Sequence, residues 1–295
     1  MEISQLRYFT AVAEYGSIAK ASKELNISTQ GLSSSIRRLE NELQVNLFYR
    51  SNGVLHLTKQ AEEILSEATA ALNHIDQISK ISSAYSTNRT QISIAITRSK
   101  FMHMPVALQE LLMSPPDEFS VEMIHDLSNK CVDMVLNDEV QLATVYGDYS
   151  NSDKFDSTLL ENCKQVFIVN KDHPLAKKDC ISLSDLNNIP MISPGSETVP
   201  GALINQIFEN NGMKFNVRYS CLDPQFCIEK AKQTPHLVAR ALAVYLNESD
   251  LDDIKILNIP ELDFPIPFSL ISKKGRKLSV PEQLFKHMII DCYHK

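Results

Sequence analysis

Leu6, Phe9, Val12 and Ala13 recur at helical spacing after Ser4 and predict a first helix. Gly16-Ser17 breaks that run and supplies an N-cap for a short second helix that buries Ala21 and Leu25. Asn26-Ile27 makes a tight turn, and Ser28 caps a third helix carrying Leu32, Ile36, Leu39 and Leu43 at i, i+4, i+7 and i+11. Two helices joined by a short turn form a helix-turn-helix. Leu47 to Arg50 and Val54 to Leu57 flank Ser51-Asn52-Gly53, and the Asn-Gly pair predicts a hairpin wing beside it. From Thr58 a long helix follows. Ala61, Leu65, Ala68, Leu72 and Ile75 stand near heptad spacing, and Ile64, Ala71, Ile78 and Ile81 widen the stripe. That stripe reads as a dimerisation surface, the alternative being a helix packed on its own body. The small, polar run Ser82 to Thr90 predicts a hinge.

Beyond residue 90 the pattern changes class. Short β-type runs, namely Ile92 to Ile96, Val121 to Ile124, Gln141 to Val145, Val166 to Val169 and Phe268 to Ile271, alternate with helical ones. The helical runs are Pro105 to Met113, Ser128 to Asn137, Val199 to Asn211, Pro224 to Gln233 and a last one after the capping sequence Ser279-Val280-Pro281-Glu282. Strand and helix in alternation imply an α/β fold.

Charge sharpens the division. The chain carries a net −7, yet residues 1–60 hold seven Lys or Arg against five acids, a local +2 that leaves −9 on the remainder. A basic head on an acidic body permits local phosphate contact. The outer face of the third helix carries Thr29, Gln30, Ser33, Ser34 and Arg37, with no acid between Glu24 and Glu40. Short hydroxyls and an amide reach base edges in a major groove, and an arginine clamps a phosphate or a guanine; an ordinary solvated face is the alternative, although it would normally mix in acids. Arg50 and His56 on the wing could touch backbone phosphate or simply steady the hairpin.

With 43% apolar residues over 295 positions the chain can bury a substantial core. No run approaches the roughly 18 apolar residues of a membrane span, and the N-terminus shows no basic segment leading into an apolar one, so the expectation is a cytoplasmic protein. The six cysteines are scattered without a Cys-x-x-Cys pair or histidines at zinc-finger spacing, and free thiols with no metal are expected. No nucleophile elbow, phosphate-binding loop, His-Glu-x-x-His or dinucleotide fingerprint is found, so no enzymatic activity and no cofactor are expected.

The first 60 residues resemble the winged helix-turn-helix of LysR-type transcriptional regulators. The residues that carry the resemblance are Leu6, Phe9, Val12, Ala13, Gly16, Ser17, Ala21, Leu25, Ser28, Leu32, Ser33, Ile36, Leu39, Glu40, Leu43, Leu47, Phe48, Arg50, Leu57 and Thr58. A looser likeness runs through Lys171-Asp172-His173-Pro174-Leu175-Ala176, Ser182 to Leu186 and Pro190-Met191-Ile192. Three departures stand out. Ser28-Thr29-Gln30-Gly31-Leu32-Ser33 replaces the family's common Ser-Gln-Pro-Ala-Leu-Ser, with Ser34 in place of a frequent basic residue. Gln44 and Ala61 stand where glycine is usual. The usual glycine-rich turn before a late strand reads Thr234-Pro235-His236.

The resemblance implies a DNA-binding head at 1–58, a linker helix and hinge at 59–90, and an effector-binding domain at 91–295. The last is built as two Rossmann-like subdomains similar to a periplasmic solute-binding protein, the first at about 91–162 and 265–295, the second at about 163–264. It implies DNA contacts from Ser28, Thr29, Gln30, Ser33, Ser34, Arg37 and Arg50. It implies an effector, typically a carboxylate, in the cleft between lobes, at strand C-termini and helix N-termini. Here that points to Thr97, Ser99 and Lys100, to His125 and Ser128, to Tyr146, and on the far lobe to Ser193, Gly195, Ser196 and Thr198. Expected partners are double-stranded DNA, a small-molecule effector and further copies of the chain, as a dimer or tetramer, with no membrane. A redox-sensing regulator is the alternative, because Cys221 and Cys227 lie six residues apart, and a more remote one is a small-molecule-binding protein or an enzyme on the α/β body.

Overall fold

The computed structural model describes every residue apart from 52, 53, 88, 99 and 295, and the backbone alone at 77 and 79–87. The chain opens with α1 (Ile3–Tyr15), α2 (Ile18–Glu24) and α3 (Thr29–Leu43), then the hairpin of β1 (Phe48–Ser51) and β2 (Val54–Leu57), then the 29-residue α4 (Lys59–Thr87). Each start and stop has a local cause. Gly16 ends α1 in the left-handed region at φ 58°, Ser17 accepts the Lys20 N–H at the start of α2, and Ser28 accepts the Gly31 N–H at the start of α3. Asn26 turns the chain between α2 and α3 at φ 53°. Gln44 ends α3 at φ 57°, a left-handed position held by a residue with a Cβ.

Leu6, Phe9, Val12, Ala21, Leu32, Ile36, Leu39 and Leu47 close the core of this head together with Ala61, Ala68 and Leu72 of α4. Ile78 of the same helix is exposed. The expected hinge at Ser82 to Thr90 is corrected in part: α4 runs to Thr87. Ser-Ser-Ala-Tyr-Ser-Thr is polar and small, yet it contains neither glycine nor proline, so nothing in it interrupts the helical hydrogen bonds.

The body follows with β3 (Thr90–Thr97), α5 (Val106–Met113), β4 (Phe119–Asp126), α6 (Ser128–Leu136), β5 (Leu142–Tyr146), β6 (Phe155–Asn170), β7 (Met191–Ser193), α7 (Val199–Asn210), β8 (Val217–Ser220), α8 (Pro224–Gln233), β9 (Val238–Leu242), β10 (Ile254–Leu257), β11 (Pro265–Lys273) and α9 (Val280–Asp291). The chain divides into two compact units, residues 1–91 with 137–139, and residues 92–136 with 140–295.

The body's strands run β4-β3-β5-β11-β6-β9-β7-β8, with β10 also on β6. The 16-residue β6 joins the two halves: it pairs antiparallel with β11 as far as Lys164, and with β9 and β10 beyond it. β3 and β5 are parallel in one half, and β7 is parallel to both β8 and β9 in the other. Alternation along the strands fills a core on each face. Ile92, Ile94 and Ile96 of β3 enter one cluster and Ala95 another; in β6, Val166 and Ile168 face one way while Phe167 and Val169 face the other. Strands covered on both faces read as continuous apolar runs, and β5 and β9 are buried throughout.

Candidate functional site

In the head, the outer side of α3 is the surface of interest. Ser28 is committed to its cap, where it accepts from the Gly31 N–H at 3.0 Å. A Cβ at Gly31 would stand 3.0 Å from that hydroxyl, so the small residue lets the cap close. Ser22 donates its proton to the Ala19 carbonyl at 3.0 Å, and the Thr29 hydroxyl, 3.2 Å away, therefore donates to Ser22 and ties α3 to α2. Gln30, Ser34 and Arg37 are exposed and Ser33 half-buried. At i, i+3, i+4 and i+7 they lie on one side of the helix.

Arg38 adds an exposed guanidinium that the sequence reading passed over, although it is adjacent to Arg37. On the wing, Arg50 is exposed opposite Leu55, and Tyr49 stacks on His56 with ring centroids 5.4 Å apart. The acid nearest in sequence, Glu40, is turned inward. Its carboxylate accepts from the Leu47 N–H at 2.8 Å and the Phe48 N–H at 3.4 Å, which fixes where the wing leaves the helices. The outer face thus presents amide, hydroxyl and guanidinium groups.

In the body, a narrow cleft lies between the two halves of the sheet. One wall comes from Thr97, Arg98, Leu127, Ser128 and Tyr146, the other from Pro194, Thr198, Val199, Leu222, Arg240, Leu242 and Tyr245 among others. Thr97 ends β3, Tyr146 ends β5 and Ser128 begins α6, so strand C-termini and a helix start converge here. Opposite them, Thr198 caps α7 by accepting from the Gly201 N–H at 3.1 Å while donating to the Gly195 carbonyl at 2.9 Å. A Cβ on Gly201 would come 2.1 Å from that carbonyl, so glycine is what lets the 195–198 loop lie on the helix end. Tyr146 and Tyr245 meet across the cleft, hydroxyl to hydroxyl at 3.1 Å, and the His103 ring packs edge-on against Tyr245 at 4.7 Å.

Arg240 dominates the electrostatics. It is 2% exposed, yet its only hydrogen bonds among the described residues are from Nε to Ser193 Oγ at 2.8 Å and from Nη2 to the Pro194 carbonyl at 3.3 Å. No carboxylate pairs with it among the described residues, and burial lowers its pKa to about 10. Arg98 on the opposite wall is a rim residue, half-exposed and 4.0 Å from Asp126. Sequence reasoning missed Arg240, although the signal was present: it is the single charge inside the apolar run Leu237 to Val244.

The structure therefore redistributes the sequence-predicted cleft residues. Thr97, Ser128 and Tyr146 line the cleft, as does Thr198. Lys100 does not: its side chain is wholly buried, ion-paired with Glu161, 3.9 Å from the Cys163 thiol and 5.0 Å from the centre of the Phe268 ring. An ammonium taken out of water needs such a partner. Ser193 lies behind Arg240, its proton donated to the Pro194 carbonyl at 2.9 Å, and holds the guanidinium instead of facing the cavity. Ser196 is exposed and does not line the cleft; nor does His125, whose ring packs on Phe101. Ser99 lies outside the described residues.

Of the cysteines, Cys227 is buried with its Sγ 3.6 Å from the Cys221 carbonyl, and burial pushes its thiol up to about 12. Among the described residues no group of three or more His, Cys, Asp or Glu is placed to hold a metal ion, and no helix is long and apolar enough to cross a membrane.

Comparison with known proteins bears on both sites. The family model described as bacterial regulatory helix-turn-helix protein, lysR family, matches residues 3–62, and the LysR substrate binding domain matches residues 86–291. The HTH-type transcriptional regulator YbhD of Escherichia coli (strain K12), itself uncharacterized, is 29% identical over 220 residues, 74% of this chain and 69% of the relative. The RuBisCO operon transcriptional regulator of Allochromatium vinosum is 22% identical over 98% of this chain and 96% of its own. The crystal structure of full-length CbnR complexed with its target DNA shares the fold, with a TM-score of 0.64 at 18% identity, covering 100% of this chain and 99% of that one.

Proposed function

The chain belongs to the LysR family of DNA-binding transcriptional regulators with an effector-binding domain, and on that premise we propose that its effector is a small anion held in the cleft by Arg240. The observation that carries this reading is a buried guanidinium lining a cavity with no carboxylate among the described residues to neutralise it. A buried charge calls for a partner, and a ligand anion is the partner the cleft can admit. Val199, the first residue of α7, lines the same wall, so the positive end of that helix adds to the attraction. The apolar side chains of Leu127, Val199, Leu222 and Leu242 would enclose the rest of a small organic molecule.

In the head, Gln30, Ser33 and Ser34 would meet base edges in the major groove, and Arg37 and Arg50 would meet phosphate or guanine. Ser28 and Thr29 act by positioning the helix. The protein works in the cytoplasm as a homodimer or tetramer, paired through the part of α4 beyond the head core, where Ile78 is exposed, since Ala61, Ala68 and Leu72 of the stripe are buried in the chain's own head, and performs binding with no catalysis. The thiol-sensing alternative has less behind it, since a buried Cys227 held as the thiol is a poor nucleophile. The test is electrophoretic: a duplex selected from a random pool by the full chain is titrated with and without candidate carboxylates. Arg240→Met should keep DNA binding and lose the carboxylate response; a response that survives would move the anion site elsewhere.

A further inference from the structure

The opposite wall of the cleft has a polarity that the anion alone does not explain. The Thr97 hydroxyl donates its only proton to the Thr144 carbonyl at 2.8 Å. The contact between Thr97 Oγ1 and Ser128 Oγ at 2.9 Å therefore takes its proton from Ser128. Ser128 in turn accepts from the Tyr146 N–H at 3.1 Å. Both hydroxyl protons are spent inside the protein, and each oxygen keeps one lone pair. Thr97 and Ser128 are each only 5% exposed, and both line the cavity. Thr97 and Ser128 accept hydrogen bonds and offer no hydroxyl proton, so a carboxylate placed against this pair would meet lone pairs.

The charge on this wall is at its rim, where the half-exposed Arg98 lines the cleft and stands 4.0 Å from Asp126, whose carboxylate also accepts from the Leu127 N–H at 2.7 Å. The cleft is thus cationic and buried at Arg240 on one side, and on the other it has hydrogen-bond acceptors at Thr97 and Ser128, with apolar side chains between. The Tyr146–Tyr245 pair can accept or donate with the one proton it does not use internally.

We propose that the effector is a donor-bearing carboxylic acid, an amino or hydroxy acid, whose carboxylate goes to Arg240 and whose ammonium or hydroxyl goes to Thr97 and Ser128. This rests on the reading of Arg240 as the anion site and adds the second half of the ligand. The hydroxyl pair that resembles an anion cradle in sequence is the receiver of the ligand's proton.

The experiment is isothermal titration and thermal shift of the full chain with matched series that differ only in the donor. One series is butanoate with its 2-, 3- and 4-hydroxy and amino derivatives; another is 4-methylpentanoate, 2-hydroxy-4-methylpentanoate and leucine. In at least one series a donor-bearing member should bind at least tenfold more tightly than its parent acid. Thr97→Val, which keeps the shape and removes the oxygen, should erase that difference, and Ser128→Ala should reduce it should the first variant fail to fold. A parent acid that binds as tightly as its derivatives, with binding lost in Arg240→Met, would overturn the donor requirement and leave the anion site standing. Binding that survives Arg240→Met, or no binding in any series, would overturn both.

Discussion

Arg240→Met should cost the body of this protein almost no stability while removing its response to anions. Burial lowers the arginine's pKa from 12.5 to about 10, which places the penalty for keeping the folded side chain charged at about 3 kcal/mol. Methionine fills most of the same volume without charge. The substitution forfeits the bonds to Ser193 and the Pro194 carbonyl, together about 3 kcal/mol in net terms because the donor is charged, and Ser193 retains its own bond to Pro194. The two terms nearly cancel, so the variant should lie within about 1 kcal/mol of the parent, on the order of 3 °C in Tm for a domain of this size. A base whose folded pKa lies below its unfolded one stabilises the fold as pH rises through that interval, because the unfolded state holds more protons. The penalty is therefore fully present at neutral pH, and the parent should gain stability relative to the variant above about pH 10. Calorimetry of the full chain, with far-UV dichroism because the sequence has no tryptophan, reads the transition of the body. A variant body clearly less stable than the parent at pH 7 would refute the claim that the charge is uncompensated.

Gln44→Gly should raise the stability of the head by about 1 kcal/mol, since glycine occupies φ 57° without a Cβ penalty; urea titration checks it, and a loss of stability would mean that the Gln44 side chain contributes more than its backbone costs. Gln30→Ala and Ser33→Ala should relax sequence preference by about 1–3 kcal/mol of discrimination, whereas Arg50→Ala should weaken all duplexes alike and lower the salt slope of binding by about one; the reverse pattern in a selection assay would misplace the reading surface. Peroxide should leave DNA affinity unchanged, because the Cys227 thiol, raised to about 12, is protonated at neutral pH; a Cys221–Cys227 disulfide that alters affinity would reinstate the redox alternative.

The head was legible because its signals are local. Gly16, Ser17, Asn26 and Ser28 each act on backbone within three residues, and the helix starts and turns follow from them. The α8 boundaries, Pro224 to Gln233, were legible for the same reason: proline begins the helix behind an Asp223 cap. Strand β6 was not. The apolar run Val166 to Val169 marks only its last part, while Phe155 to Gln165 mixes polar and apolar positions and becomes a strand by pairing with β11, about a hundred residues later in the chain. Lys100 failed as a cleft residue for a related reason: its position in sequence says nothing of Glu161, which draws it inward. Arg240 inverts the case, since a lone arginine in an apolar strand advertises an anomaly whose meaning only the cavity supplies.

The same anomaly sets a bound on how strongly an effector can act. A ligand shifts an equilibrium only by its difference in affinity for the two arrangements. The cleft walls already touch through Tyr146 and Tyr245, so the gap a ligand must fill is narrow, and the unrelieved charge lies on one side of it. If neutralising Arg240 returns the desolvation penalty of about 3 kcal/mol only when the cleft is closed on the ligand, the ratio of closed to open forms changes on the order of a hundredfold. An anion bound at an exposed arginine such as Arg98 would return far less, because water already screens that charge in both forms. The strength of the response is therefore tied to the burial of Arg240 and the absence, among the described residues, of a protein carboxylate beside it.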